Sequence, residues 1–363
     1  HLSLRRQRQM CIRDRDSSTL VDAGAVRWVD GSGPVTSAIS AANSLVGTTA
    51  NQFAGANISR LFNGNYLVYT PSWDSATTMD VGALTWASGN TGISGTISAA
   101  NSLVGSKQND LYSASYFSPR YLGNGNVVMA FGGLDNGNVA DAGGLVWMSG
   151  SQPTVGVISS ANALMGSTNG DFSKFTIGSL ANGNYVLLLD YWNNGSNGFG
   201  SVTLGNGSTG TFGIISSANS LVPEANDIGI FSFTWLYGSS NFVISRPNAT
   251  VNGVTNVGAV TFGNGTFVNG TSTLTGVISS ANSLVGSKQN DNVGNYIFPL
   301  VNGSYVVVSD KWNQSTGAIT LGNGTTGVAG VLSEQNSLIG GTIGDFNNAT
   351  SVSYTHLTLP TKA

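Results

Sequence analysis

The sequence predicts an all-β repeat protein, most simply a β-propeller of about six four-stranded blades. Three observations predict it. First, ISAANSLVG at 39–47 recurs as ISAANSLVG at 97–105, ISSANALMG at 158–166, ISSANSLVP at 215–223, ISSANSLVG at 278–286 and LSEQNSLIG at 332–340. The motif asparagines Asn43, Asn101, Asn162, Asn219, Asn282 and Asn336 follow one another at steps of 58, 61, 57, 63 and 54 residues. Self-similarity at a near-constant period marks stacked, equivalent units. Second, glycine supplies 50 of 363 residues and charged residues only 9%. Third, short apolar runs are separated by Asn-Gly turns, the strongest short-range hairpin signal, because both residues tolerate positive φ.

Each unit reads as four strands. The first is GAVRW at 24–28, GALTW at 82–86, GLVWM at 144–148, GSVTL at 200–204, GAVTF at 258–262 and GAITL at 317–321. Alternation puts Val26 with Trp28, and Leu84 with Trp86, on one face. A turn follows, plainest at Gly205-Asn206-Gly207, Gly263-Asn264-Gly265 and Gly322-Asn323-Gly324. The second strand runs into the ISAANSLVG motif, whose Ser-x-x-Asn start predicts one capped helical turn. An Asp-containing turn then leads to a variable third strand. The fourth is NGNYLVY at 63–69, NGNVVMA at 124–130, NGNYVLL at 182–188 and NGSYVVV at 302–308. Its apolar run is continuous, which predicts cover on both faces. Trp73, Trp192 and Trp312 close their units.

Internal spacings are tighter than the period. Trp28, Trp86, Trp147, Leu204 and Leu321 each stand 15 residues before the motif asparagine. Phe262 stands 20 before, so a five-residue insertion falls near Phe267-Val268-Asn269-Gly270. From the motif asparagine to Tyr66, Tyr185, Phe242 and Tyr305 is 23 residues each time, with Val127 at 26. The competing architecture is a β-solenoid, whose rungs are shorter, and the hairpin-type turns count against it.

Both ends stand apart from the repeat. Gln9–Arg15 and Ser351–Leu357 resemble translations of the two strands of a transposon-end sequencing adapter. Residues 1–15 and 351–363 are accordingly expected to be adapter-derived. Residues 16–350 then form one propeller-like domain of six repeats, an internal piece of a longer reading frame. Cys11, His1 and His356 fall in the excluded ends, as do Arg5, Arg6, Arg8, Arg13, Arg15, Lys362 and Asp14, leaving 8 basic and 16 acidic residues. A core without His or Cys excludes Ser-His and Cys-His nucleophile pairs, the usual zinc ligand sets and disulfides. Its sparse acidic charge excludes a nucleic-acid footprint. No apolar run is long enough for membrane insertion. No catalytic, cofactor-binding or metal residue is assigned, and no cofactor is expected.

The candidates for chemistry have simpler readings. A carboxylate recurs nine residues after the motif asparagine at Asp110, Asp171, Asp291 and Asp345, and eight after it at Asp227, while the first repeat has Gln52. One calcium ligand per unit is conceivable, but an Asx-type turn explains the pattern and tolerates the glutamine. Glu224 and Glu334 are the only glutamates, and neither sits in a recognisable glycosidase motif. The register of Trp28, Trp86 and Trp147, with Leu or Phe at equivalent places, points to core. Asn206, Asn264 and Asn323 begin Asn-x-Ser/Thr triplets, but they also lie in the Gly-Asn-Gly turns.

Asp22-Ala23-Gly24, Asp80-Val81-Gly82 and Asp141-Ala142-Gly143, each leading to a tryptophan, resemble the Asp-box hairpin of sialidases. The tryptophan falls six residues after the Asp, one later than that pattern, and Arg27, Arg60, Arg120 and Arg246 occupy non-equivalent places. No sialidase role carries over. As a whole, the GAVTW-like strand, SAANSLVGS-like turn and NGNYVV-like strand resemble the tandem repeats of large secreted bacterial surface proteins of the filamentous-haemagglutinin and autotransporter kind. That resemblance covers residues 16–350. It implies export to the bacterial cell surface and a non-enzymatic role in adhesion or as an extracellular scaffold. The implied partners are host-cell or matrix glycans or proteins, together with further copies of the repeat in the full-length chain. The alternative is a secreted carbohydrate-binding or carbohydrate-active propeller, a lectin or glycosidase.

Overall fold

A computed structural model describes residues 8–12, 20–31, 37–112, 118–193, 200–225, 227 and 229–347. Among them the chain is built of short strands in six main sheets, with one helical turn at Trp312–Ser315. The fold is an all-β repeat of propeller-like sheets. Most of the two segments read as adapter lies outside the described residues. Arg8–Ile12 is the exception. It pairs antiparallel with Ala25–Val29, at the place Tyr66–Thr70 takes on Ala83–Ala87.

The second sheet shows the plan. Its order is Asn57–Arg60, Tyr66–Thr70, Ala83–Ala87, Ser102–Val104 and Gly156–Val157. The first four are antiparallel neighbours, and Gly156–Val157 adds in parallel to Ser102–Val104. The predicted unit is therefore not a sheet. A sheet begins with the third and fourth strands of one predicted unit and continues with the first strand and motif of the next, because the fourth and first strands form the hairpin. The predicted second strand also divides. Gly95–Thr96 joins the first sheet beside Leu45–Val46, while Ser102–Val104 joins the second. Gly156–Val157, Gly213–Ile214 and Gly330–Val331 are lent in the same way to the second, third and fifth sheets. Antiparallel pairing of four strands in five separates this arrangement from solenoid rungs.

The third sheet holds Arg120–Tyr121, Val127–Phe131, Gly144–Met148, Ala163–Met165 and Gly213–Ile214. The fourth holds Phe175–Ser179, Tyr185–Leu189, Ser201–Gly205 and Leu221–Val222. The chain divides into two compact units, residues 1–222 with 265–276, and 223–264 with 277–363. The second unit carries the fifth sheet (Ser232–Trp235, Phe242–Arg246, Ala259–Gly263, Ser283–Val285, Gly330–Val331) and the sixth (Tyr296–Pro299, Tyr305–Ser309, Ala318–Gly322, Leu338–Ile339).

Within each unit the sheets pack face to face. Tyr66 and Val68 bury against Val26 and Leu45 of the first sheet, while Leu67 and Tyr69 bury against Val127 and Met129 of the third. All of Tyr66–Thr70 is buried, as its unbroken apolar run predicts. Burial here comes from the neighbouring sheet rather than from the strand. Leu45, Leu103, Leu164 and Leu284 are 0% exposed, whereas Leu338 at the same position of the sixth sheet is 65% exposed. At about 25 cal/mol per Å² of apolar surface, each covered leucine contributes roughly 1.5–3 kcal/mol.

Two compensations show how close the fit is. The first residue of the fourth strand faces a small partner when it is aromatic: Tyr185 opposite Gly205, Phe242 opposite Gly263, Tyr305 opposite Gly322 and Tyr66 opposite Ala87. A Cβ on Gly205 would lie 1.9 Å from the Tyr185 ring. Where that residue is the smaller Val127, its partner is Met148. The second compensation is polar. Thr85 and Ser102 share a buried hydroxyl–hydroxyl hydrogen bond of 2.7 Å, repeated at Thr203–Ser220, Thr261–Ser283 and Thr320–Ser337. In the third sheet both partners are apolar, Val146 opposite Ala163.

A buried hydroxyl left alone costs more than a pair removed together. Ser102→Ala is expected to lose roughly 1–3 kcal/mol. Adding Thr85→Val, which reproduces the Val146–Ala163 pair, should recover most of that loss. Urea unfolding of the two single variants and the double variant measures the coupling.

Candidate functional site

The repeated polar side chains gather at two kinds of joint. The motif asparagine makes the first. Asn101 Oδ1 accepts from the Ser98 backbone N–H at 2.9 Å and from Ser102 Oγ at 2.9 Å, while its Nδ2 donates to Thr96 O at 2.9 Å. The Ser102 N–H reaches Ser98 O at 3.0 Å, which closes the single helical turn that Ser-x-x-Asn predicts. Thr96 is paired in the first sheet and Ser102 in the second, so one carboxamide ties together the strand lent to one sheet and the strand kept by the next. Asn43, Asn162, Asn219, Asn282 and Asn336 each donate to the carbonyl five residues earlier in the same way.

The second joint is a glycine carbonyl that collects donors from the sheet before it. Gly150 O accepts from Asn63 Nδ2 at 2.7 Å, Asn65 Nδ2 at 2.9 Å and Trp86 Nε1 at 3.1 Å. Gly207 O accepts from Asn124, Asn126 and Trp147 at 2.8, 2.8 and 2.9 Å. Gly265 O accepts from Asn182 and Asn184, Gly324 O from Asn241, and Gly89 O from Trp28. The second asparagine also turns back to its own sheet. Asn65, Asn126 and Asn184 accept through Oδ1 from the N–H of Gly89, Gly150 and Gly207. The glycines are obligatory here, since a Cβ on Gly89, Gly150 or Gly207 would meet the facing glycine carbonyl oxygen at 1.7–2.0 Å.

The recurring carboxylates cap turns. Asp171 Oδ2 accepts from the N–H of Ser167 at 2.7 Å and of Thr168 at 2.9 Å, and its Oδ1 accepts from Thr168 Oγ1 and the Asn193 N–H. Asp110 and Asp291 are bound alike, and Gln52 Oε1 takes the Thr48 N–H at 2.7 Å. These oxygens face N–H and O–H donors, the surroundings of an Asx turn rather than of a cation. At Asp345 the Thr342 hydroxyl, with the amides of Thr342 and Gly341, holds the carboxyl below the usual range. Asp227 departs from the set. It pairs with Arg246, Nε to Oδ2 at 2.9 Å, both buried, with the guanidinium 4.4 Å from the centre of the Phe231 ring. Burial pushes the Arg246 guanidinium down, and the Asp227 carboxylate offsets part of that.

The other candidates stay apart. Trp28, Trp86 and Trp147 are half-buried, and their indole N–H groups serve the glycine joints. Asp22, Asp80 and Asp141 hold φ of 55°, 51° and 49°, and their carbonyls accept from the N–H of Asn51, Asn109 and Gly170. Arg27 binds Ser37, and Arg246 binds Asp227. Glu224 accepts from the Gly253 N–H, and Glu334 is exposed. Asn206 and Asn323 cap the amides two and three residues on, which is turn chemistry. Among the described residues no three His, Cys, Asp or Glu side chains gather where they could hold a metal. Sequence reasoning took Asn63, Asn65, Asn124 and Asn126 only as turn formers. The return of a second asparagine after the glycine, at Asn65, Asn126 and Asn184, was the available signal, since the turn alone does not require it.

The buried tyrosines set an alkaline limit. Burial pushes the hydroxyls of Tyr66 and Tyr305 up to about 12 from the usual 10.0, the backbone at Ile93 and Val328 opposing in part. The folded state keeps these protons while the unfolded chain ionises from its lower value, so their contribution is whole below pH 10 and lost as pH rises towards 12. The melting temperature is expected to fall across that interval. Tyr66→Phe with Tyr305→Phe, which copies natural Phe242, should lessen the fall in a pH series of thermal melts, and adding Tyr185→Phe, whose hydroxyl burial also pushes up, should lessen it further.

Six stretches of the chain, 15–56, 60–114, 121–174, 179–229, 237–295 and 299–348, match the family described as Repeat of unknown function (DUF5650). Comparison with curated proteins gives no match. The matched stretches follow the sheets, since 60–114 spans Tyr66–Thr70, Ala83–Ala87 and Ser102–Val104 of the second sheet and 121–174 spans the corresponding strands of the third. Matched along most of its length and sheet by sheet, the chain belongs to the Repeat of unknown function (DUF5650) family.

Proposed function

We propose that this chain is a non-enzymatic repeat region of a secreted bacterial surface protein, acting in adhesion or as an extracellular scaffold. The observation that carries the reading is where the repeated side chains are used. The motif asparagines, the Asn-Gly-Asn turns and the tryptophan N–H groups make bonds that build the joints, and four of the five recurring carboxylates cap turns. Residues kept for a shared reaction would instead turn polar atoms towards a common cleft. Of the only two glutamates, Glu224 accepts from the Gly253 N–H and Glu334 is exposed. Host-cell or matrix glycans and proteins fit an acidic, sparsely charged surface better than nucleic acid does.

A carbohydrate-binding propeller is the second reading, and one observation favours it. The five-residue insertion after Phe262 folds into a hairpin, Phe267–Val268 with Thr271–Ser272, beside an uncharged cavity. A panel of immobilised matrix proteins, host cells and glycans tests both. Saturable binding without turnover of any glycan supports the reading. Hydrolysis of a glycoside, or no binding to any member of the panel, would contradict it.

A further inference from the structure

Two departures from the repeat meet at one place. Leu204 stands where Trp28, Trp86 and Trp147 stand in the earlier sheets. In those the indole fills the space above the next glycine carbonyl and donates to it, whereas Gly265 O receives Asn182 and Asn184 with no indole at Leu204. The five-residue insertion lines the same cavity as Leu204. Its strands Phe267–Val268 and Thr271–Ser272 turn through Asn269 and Gly270, at φ of 50° and 78°. Together they border a half-open cavity of about 280 Å³ lined by Leu204, Asn206, Thr211, Phe267, Thr271 and Ser272, among others.

The lining has a definite chemistry. It contains no charged side chain. Asn206 Oδ1 is taken by the N–H groups of Ser208 and Thr209, which leaves its NH₂ to donate. Ser272 Oγ accepts from the Leu274 N–H and keeps its own proton to give. Half-buried Phe267 and fully buried Leu204 line its apolar side. Hydroxyls and a carboxamide set around an apolar patch complement a ring that carries hydroxyls on its edge and C–H groups on its face. A charged ligand would find no counter-charge. The volume falls just below the usual range of ligand pockets, roughly 300–1,000 Å³, and suits a single ring.

We propose that this cavity binds a neutral saccharide residue, such as a terminal unit of a surface glycan. The inference rests on the adhesion reading and gives that reading a site. Its symmetry-breaking position matters, because none of the other sheets combines a small residue at the tryptophan place with the insertion.

Saturation-transfer NMR of the whole chain against neutral monosaccharides and disaccharides tests the proposal. Glucose, galactose, N-acetylglucosamine and their dimers are the probes. Two variants accompany the parent, Leu204→Trp, which restores the residue found in three sheets and fills the cavity, and Phe267→Ala, which removes the apolar wall. The parent is expected to bind at least one probe. Leu204→Trp should weaken binding by ~10-fold or more, and Phe267→Ala should weaken it as well. No binding by the parent, or equal binding by folded Leu204→Trp, would overturn the proposal. Cell adhesion measured on the same proteins separates the two readings. If cells bind the parent and Leu204→Trp equally while no sugar occupies the cavity, adhesion stands and the site falls. If a sugar occupies the cavity but no cell or matrix surface is bound, the site stands and adhesion falls.

Discussion

The structure depends on a glycine carbonyl that no strand of its own sheet satisfies. Gly150 and Gly207 each offer that oxygen to two asparagine carboxamides and an indole of the preceding sheet. A carbonyl has two lone pairs, so three converging donors saturate it and fix its position in two directions. The second asparagine then carries the constraint onward. Asn126 holds the Gly150 N–H through Oδ1 and the Gly207 carbonyl through Nδ2, joining the third sheet to the fourth. The sequence Gly89, Asn65, Gly150, Asn126, Gly207, Asn184, Gly265 is a continuous rail across the first compact unit. Apolar burial supplies most of the attraction between sheets, but it has no direction. The rail supplies the register.

That division of labour explains which features the amino-acid sequence revealed. The apolar runs, Asn-Gly turns and repeat spacing are local, and they foretell strands, hairpins and the continuous burial of Tyr66–Thr70. The capped turn at Ser98-Asn101 is equally local, as are the bonds to Oδ2 of Asp110 and Asp171, made by partners within five residues, whereas their Oδ1 atoms also take the distant N–H groups of Asp135 and Asn193. What local reasoning misassigns is the phase. Fourth and first strands pair across a predicted unit boundary, and the motif feeds two sheets, because pairing is decided by hairpin geometry rather than by where a repeat is first recognised. The long-range use of Asn63 and Asn65, 87 and 85 residues from their acceptor, is hidden in turns that would look the same without it.

The candidate site was legible only as irregularity. Leu204 for tryptophan and the insertion after Phe262 stand 58 or more residues apart in the numbering, and nothing local connects them. Stacking the repeats brings them to one cavity. This is how a repeat scaffold acquires a site without losing its frame: the joints stay uniform, and binding chemistry accumulates where one unit departs from the rest.

The rail is tested most directly by comparing Asn126→Asp with Asn90→Asp in urea unfolding. Asn126→Asp keeps an acceptor for the Gly150 N–H but turns a carboxylate towards the Gly207 carbonyl, while Asn90 is an exposed turn residue. A rail that sets the register predicts a loss of about 2 kcal/mol or more for Asn126→Asp, and no more than about 0.5 kcal/mol for Asn90→Asp. Equal, small effects from both substitutions would contradict it.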